Sequence, residues 1–364
     1  MKRYTRSALV AAAMASAFVT LATHNVSALA QHTEDTVIHN RITITDAEVS
    51  AAGSKVKTSF HHVIAPNLSG AGAKAAAINA EGLHQHDLTL NNIQAVRNEA
   101  KAQAVLTAPF FYPADLVHSG GPTLTTTVNH ALYVDYTGTV AANWGNPEGF
   151  LTDLGKSTFI HLTDQYTGLT TNGRYTVGTN ASISYSHFGN VLYEHELWSI
   201  VYTAAKKFGT GNGHLYHIFL PNGTDTCFDL SAQCYSPDNS STFYFCGYHS
   251  GVTFSDIGTV LFTVEPYQNV AGCQVATPSP NSQLIDSTNS VLSHEVFEAI
   301  TDPYGGSGWI NRTSLDLYGY EIGDECQGLG NSTGALDPTF LINGKKYEVQ
   351  MEYSNTYHAC AVQP

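Results

Sequence analysis

Basic residues are scarce in this sequence. Lys and Arg together number 16 against 30 Asp and Glu, which gives a formal net charge of −14. No extended cluster of Lys and Arg is present that could neutralise the phosphates of a nucleic acid. An acidic surface also repels anionic lipid head groups. We therefore expect neither a nucleic acid nor a membrane as a partner.

Long apolar runs are also lacking, and none reaches the roughly 20 residues that a membrane-spanning helix needs. The longest, at about 8–22, follows three basic residues and precedes a small-x-small pattern at 28–30. This arrangement is typical of a secretory signal peptide, which we assign to residues 1–30. Its removal takes away three basic residues and no acidic one, so the formal charge changes to about −17. We expect an exported protein: extracellular, periplasmic or in a cell wall.

Cysteine is absent from the first 226 residues, and no CxxC pair occurs, which disfavours a zinc-thiolate site. The six cysteines of the second half are an even number in a chain bound for an oxidising compartment, which favours three disulfides. Six cysteines allow 15 pairings, and only proximity along the chain selects among them. The pairs chosen on that basis are Cys227–Cys234, Cys246–Cys273 and Cys326–Cys360.

Aromatic residues are nearly absent from residues 31–109, where Phe60 stands alone. A segment with so little apolar area cannot offset the entropy that an ordered chain loses. We therefore interpret 31–118 as a partly disordered N-terminal extension with a helix near Asn92 to Leu106. It could be a pro-segment, a flexible spacer or an arm that packs on the main domain. Histidines at 61–62, 84 and 86 could bind metal, but solvated histidines are the commoner case in a polar arm.

Residues 119–364 carry the signals of one α+β domain with a mixed sheet and disulfides. β-branched and aromatic alternation between turn residues predicts strands, and helical apolar periodicity predicts helices. The predicted strands are Val128–Tyr136, Leu215–Pro221, Thr242–His249, Val260–Glu265 and Lys346–Tyr353; the predicted helices are Pro147–Leu154, Tyr193–Phe208 and Gln283–Thr301.

The predicted helix at 283–301 carries an HExxE motif. His294, Glu298 and Asp302 are each four residues apart and therefore lie along one helix face. Two ligands at i and i+4 converge on a metal ion with little flexing, which is the arrangement of the HExxH zinc proteases; here Glu298 replaces the second histidine. The helix thus predicts a zincin-like metal site, although an exposed amphipathic helix would show the same pattern.

A second acidic cluster, at 320–326, offers a third ligand. We rank Glu321 first and Asp324 second, with the other supporting the site by hydrogen bonds. Glu295, turned to a different azimuth from His294, is the candidate catalytic base. Zinc is the expected ion, but two carboxylates and one imidazole also leave calcium, manganese or iron open. His249, beside Cys246, and His358, beside Cys360, are interpreted as core or hydrogen-bonded histidines.

The region from Gly120 to Cys360 resembles the Exordium or phosphate-induced protein 1 family of secreted proteins. The segments that carry the resemblance are Gly120-Gly121-Pro122-Thr123-Leu124, Cys246-Gly247-Tyr248-His249, the 292–303 helix, Gly323-Asp324-Glu325-Cys326 and Asn343-Gly344-Lys345-Lys346-Tyr347 with Cys360. The resemblance implies an extracellular, cell-wall-associated protein. Plant members look like growth regulators without the residues that match His294, Glu295 and Glu298, whereas microbial relatives that keep them look like zinc metallopeptidases.

Together these features predict a secreted metallopeptidase-like hydrolase that acts on an extended peptide or a cell-wall-associated substrate. The alternative is a non-catalytic extracellular protein of the phosphate-induced protein 1 type, with a structural metal or none.

Overall fold

The computed structural model describes residues 38, 40–63, 115–134, 140–185, 191–227, 234–235, 245–269, 273–312, 319–326 and 337–364. The predicted signal peptide and the predicted helix at 92–106 lie outside these residues.

The described residues form seventeen strands and six α-helices. The strands are β1 (Arg41–Ile44), β2 (Val56–Val63), β3 (Leu116–His118), β4 (Thr127–Val134), β5 (Tyr175–Val177), β6 (Ala181–Tyr185), β7 (Val191–Tyr193), β8 (His214–Phe219), β9 (Asp225–Cys227), β10 (Cys234–Tyr235), β11 (Tyr248–Phe254), β12 (Gly258–Glu265), β13 (Trp309–Asn311), β14 (Thr339–Ile342), β15 (Lys345–Glu348), β16 (Glu352–Ser354) and β17 (Ala359–Ala361). The helices are α1 (Asp46–Gly53), α2 (Val140–Trp144), α3 (Pro147–Gly155), α4 (Asp164–Thr167), α5 (Glu194–Phe208) and α6 (Gln283–Thr301).

One eight-stranded mixed sheet organises the fold, as the sequence predicts. Its order is β1-β6-β4-β8-β12-β11-β2, with β5 paired to β4. Neighbours from β1 to β12 run parallel, whereas β11 is antiparallel to both β12 and β2. The helical connections between parallel strands explain why helices cover both faces of this sheet.

Side chains that alternate along each strand supply two separate cores. On β8, Tyr216 and Ile218 join the core with α1 and α5, whereas Leu215 and Phe219 join the core with α2, α3 and α6. The period of two residues in a strand produces this division, because successive side chains point to opposite faces. The molecule is thus a three-layer sandwich in which α6 lies on the second face.

Part of the predicted N-terminal extension belongs to this sheet. Strands β1 and β2, within 41–63, form its two edges, and α1 packs against α5. The arm is ordered despite its few aromatic residues because Ile42, Ile44 and Ala52 are buried in the core that the later helices build. The described residues of 40–63 are therefore packed on the main domain.

Ser282 caps the N-terminus of helix α6, because its Oγ accepts a hydrogen bond from Ile285 N. Asp302 caps its C-terminus, directly before Pro303. The sequence predicts one apolar stripe, and four of its residues, Leu292, Val296, Phe297 and Ile300, do lie in the second core. The polar side is buried as well, from Asp286 to Thr301. The exposed amphipathic helix considered as an alternative is therefore ruled out. No helix among the described residues is long and apolar enough to cross a membrane.

Two of the three predicted disulfides are present, Cys246–Cys273 and Cys326–Cys360. Cys227 and Cys234 are register partners on β9 and β10, but their side chains lie outside the described residues, so that pair stays a prediction.

Cys326–Cys360 ties segment 319–326 to β17 across a sequence separation of 34. We expect Cys326→Ala/Cys360→Ala to lower the free energy of unfolding by about 3 kcal/mol, because a closed loop of this length restricts the unfolded chain. Chemical denaturation of the double variant beside the wild type measures this. An unchanged midpoint would show that the crosslink adds no stability.

Candidate metal centre

Helix α6 brings His294 and Glu298 together one turn apart, as the HExxE spacing predicts. His294 Nε2 lies 2.8 Å from Glu298 Oε1, and the same oxygen accepts a hydrogen bond of 3.2 Å from Asp324 N. The other ring nitrogen of His294, Nδ1, lies 3.2 Å from Gln350 Oε1. The amide of Gln350 in turn donates to the Gly323 carbonyl at 2.6 Å. His294 is thereby fixed between its own helix and the 319–326 segment.

Segment 319–326 reaches the helix where the sequence predicts a third ligand. Asp324 Oδ1 lies 4.0 Å from His294 Nε2, and Asp324 Oδ2 accepts a 3.3 Å hydrogen bond from Glu321 N. Short backbone hydrogen bonds position the segment, among them Asn311 N to Tyr320 O at 2.8 Å and Tyr353 N to Ile322 O at 2.9 Å. The segment thus lies on the same side of the fold as α6.

His249, interpreted from the sequence as a core or hydrogen-bonded histidine, lies between the carboxylates of Glu295, Glu298 and Glu321. These four residues, together with His294 and Asp324, are called the cluster below. On β11 His249 alternates with Tyr248, which faces the first core, so the imidazole faces α6. Its Nδ1 is 3.4 Å from Glu295 Oε2 and 3.4 Å from Glu298 Oε2. Its strand alternation and its place beside a disulfide are the sequence signals for this position; neither identifies the carboxylates that it meets.

The other ring nitrogen of His249 contacts the end of α6. Nε2 lies 3.1 Å from the Asp302 carbonyl oxygen and 3.7 Å from Glu321 Oε2. A carbonyl oxygen only accepts, so the proton of a neutral ring is on Nε2. Asp302 itself does not point into the cluster, because its carboxylate accepts hydrogen bonds from the backbone of Gly306 and Gly308.

Two overlapping groups of side chains could hold a metal ion. The first is His249, Glu295 and Glu298, and the second is His294, Glu298 and Asp324; within each group the ligand atoms lie within 4.8 Å of one another. Glu298 belongs to both. Glu321, ranked first from the sequence as the third ligand, is in neither group, because its carboxylate lies on the Nε2 side of His249. Asp324, ranked second, is in the group of His294.

The cluster is almost completely removed from water. Its members are 0–1% exposed except Asp324 at 5%, and Glu352 beside them is 0% exposed. Burial lowers the pKa of His294, but Glu298, Asp324 and Gln350 together outweigh burial, so the pKa is above its usual value. Burial, with the carboxylates of Glu298 and Asp324, raises the pKa of Glu352 well above its usual range. The excess of buried carboxylates therefore disfavours ionisation of all of them together.

A row of polar side chains lies on the same face of the sheet as His249. His217 Nε2 is 2.9 Å from Asn129 Oδ1, and its Nδ1 is 2.8 Å from Thr263 Oγ1. The Thr263 hydroxyl donates to Glu265 Oε1 at 2.7 Å. Burial lowers the pKa of His217 to about 3 and raises the pKa of Glu265 to about 8. Burial thus disfavours the charged form of both side chains in this row.

Gly323 lies against the imidazole of His294. A Cβ at this position would be 2.6 Å from the ring atoms Cε1 and Nδ1. We expect Gly323→Ala to displace the ring and to lower metal affinity by about 10- to 100-fold, as loss of a supporting contact does. Gly53→Ala at the end of α1, where nothing lies within 4 Å, is the matched control. Competition with a chelating dye measures the metal affinities of both variants. Equal affinities would show that the contact between Gly323 and His294 does not support metal binding.

In comparisons with known proteins, no family model, no curated protein and no solved structure matches this chain.

Proposed function

We propose that this chain is a metal-dependent hydrolase of the metallopeptidase type that cleaves an extended peptide or a cell-wall-associated substrate. The observation that carries the proposal is the meeting of two imidazoles and four carboxylates, all buried, around the shared ligand Glu298. The six residues are His249, His294, Glu295, Glu298, Glu321 and Asp324.

Charge balance supports a bound cation. Carboxylates buried together repel one another, and their desolvation costs free energy unless a cation or protons offset it. Two imidazoles are too few to neutralise four carboxylates. A divalent cation offsets two negative charges at once and prefers these oxygen and nitrogen donors. Zinc is our first choice, and calcium, manganese or iron remain alternatives.

The cluster also supplies the groups that hydrolysis needs. A bound divalent cation lowers the pKa of a water molecule and polarises a carbonyl group. With His294, Glu298 and Asp324 as ligands, Glu295 would accept the proton of the attacking water and return it to the leaving amine. The turn of α6 that carries His294, Glu295 and Glu298 is the part that resembles zinc metallopeptidases.

Burial favours a second candidate function. Structural metal sites are closed, whereas catalytic sites keep a position open to substrate. Every member of this cluster is at most 5% exposed. A non-catalytic extracellular or cell-wall-associated protein of the Exordium type, with a structural ion at the same place, is the competing proposal. The two disulfides fit an oxidising compartment in either case.

Metal analysis and a cleavage assay together separate the two functions. The protein purified without chelator is analysed for metals, and its hydrolysis of a peptide mixture is measured before chelation, after it and after the metal is restored. We expect about one equivalent of metal, loss of cleavage on chelation and its recovery. A stoichiometric ion without cleavage would support the structural role, and absence of metal binding would refute the hydrolase and leave a non-catalytic protein without a metal.

A further inference from the structure

The two groups that share Glu298 differ in the distances between their donor atoms. Ligand atoms about 2.1 Å from a tetrahedral zinc ion lie about 3.4 Å apart. In the first group, His249 Nδ1 is 3.4 Å from each of the two glutamate oxygens. With 2.1 Å ligand distances, both pairs would subtend about 108° at the ion, close to the tetrahedral angle.

The second group fits a shared ion less well. His294 Nε2 is 2.8 Å from Glu298 Oε1 and 4.0 Å from Asp324 Oδ1. The same ligand distances would give angles of about 84° and 145°, far from tetrahedral. The shorter separation is also too small for two ligand atoms of one tetrahedral ion.

The two oxygens of Glu298 have different surroundings. Oε1 contacts His294 Nε2 and accepts a hydrogen bond from Asp324 N, whereas Oε2 faces His249. Such a division is typical of a ligating carboxylate, which binds the ion through one oxygen while outer groups hold the other.

The imidazole of His249 has the orientation of a ligand. Its Nε2 hydrogen bonds to the Asp302 carbonyl, which fixes the tautomer with the proton on Nε2. In that tautomer Nδ1 is the unprotonated ring nitrogen, and it lies 3.4 Å from Glu295 Oε2 and 3.4 Å from Glu298 Oε2. Metal-ligating histidines usually donate their second ring N–H to a carbonyl or carboxylate in this way.

We propose that a single divalent cation binds His249 Nδ1, Glu295 and Glu298, and that His294 and Asp324 are positioning residues that hold Glu298. The assignment rests on the metal-dependent function proposed above and changes two of its roles. His294 supports a ligand instead of binding the ion. Glu295 binds the ion instead of accepting the proton of the attacking water.

Nitrogen NMR of histidine-labelled protein tests this assignment, because the two groups would bind the ion through different ring atoms. On addition of Zn²⁺ to metal-free protein, we expect one imidazole to show a metal-bound Nδ1 with a protonated Nε2. A metal-bound Nε2 with a protonated Nδ1 would assign the ion to His294 and overturn the proposal. Two metal-bound imidazoles, or a bound ion with no metal-bound imidazole, would overturn it as well. No zinc binding at all would instead refute the metal-dependent function itself.

A pair of variants gives a second readout. We expect His249→Gln to weaken zinc binding by more than 100-fold, whereas His294→Gln weakens it by about 10- to 100-fold and keeps the Nδ1-bound signal. The reverse order of affinities would contradict the assignment. Circular dichroism on both variants verifies their folding, and if either does not fold, the NMR experiment on the unsubstituted protein decides alone.

Discussion

Replacement of Glu298 by alanine is expected to abolish stoichiometric metal binding and to lower any metal-dependent hydrolysis by about 10³-fold. Glu298 is the residue common to both groups that could hold an ion. Its loss removes a ligand, leaves Asp324 N without its acceptor and removes the carboxylate beside His294 Nε2. The stabilisation that a metal ion supplies to a hydrolytic transition state is several kcal/mol, which corresponds to this loss of rate.

The matched control for this variant is Glu325→Gln. Glu325 is also a buried acid beside the cluster, and its Oε1 accepts a 2.6 Å hydrogen bond from Asn311 Nδ2, but it belongs to neither group. We expect it to keep both metal and activity. Metal content by mass spectrometry and initial rates on the same substrate compare the two variants. Retention of a full equivalent of metal in Glu298→Ala would contradict the placement of the ion.

The metal-free protein is expected to lose stability as the pH rises from about 5 to 8, with Glu265 as a main contributor. Burial raises the pKa of Glu265 from 4.5 to about 8 in the folded chain. A carboxyl group with a raised folded pKa keeps its proton when the unfolded chain has lost it. Its stabilising effect is therefore complete below the unfolded pKa and is lost as the pH rises through the folded one.

Glu265→Gln isolates this contribution because the amide keeps an oxygen for the Thr263 hydroxyl. We expect equal stability of variant and wild type near pH 4.5, and a variant more stable by on the order of 3 kcal/mol at pH 8. For a domain of this size that difference is roughly 6 to 12 °C in melting temperature. Thermal unfolding of both metal-free proteins across this range measures it. Parallel pH profiles would show that Glu265 keeps an ordinary pKa in the fold.

Local sequence patterns were sufficient to predict the three longest helices and strands β4, β8 and β12 of the main sheet. The 3.6-residue periodicity at 283–301 predicts α6 at its observed bounds, and the segments at 147–154 and 193–208 lie within a residue of α3 and α5. Of the predicted strand at 242–249, residues 242–244 lie outside the described residues, 245–247 are not in a strand, and only Tyr248 and His249 belong to one, β11. The continuous apolar and aromatic run around Tyr244 and Phe245 resembled a strand, but pairing with β12 and β2 begins only at Tyr248.

The positions of His249 and of the N-terminal arm are what the sequence could not show. The i, i+4 spacing predicts that His294 and Glu298 lie together, because helix geometry alone fixes it. The position of His249 depends on which strand pairs beside β12 and on which face α6 packs. The edge strands of the N-terminal arm depend likewise on a core supplied by residues far along the chain.

Calorimetric titration of metal-free protein with Zn²⁺ tests most directly whether the buried cluster is a metal centre. We predict saturation at one ion per chain for the wild type and no measurable saturation for Glu298→Ala. Absence of binding by the wild type, with the fold verified by circular dichroism, would contradict the claim that this buried cluster is a metal centre.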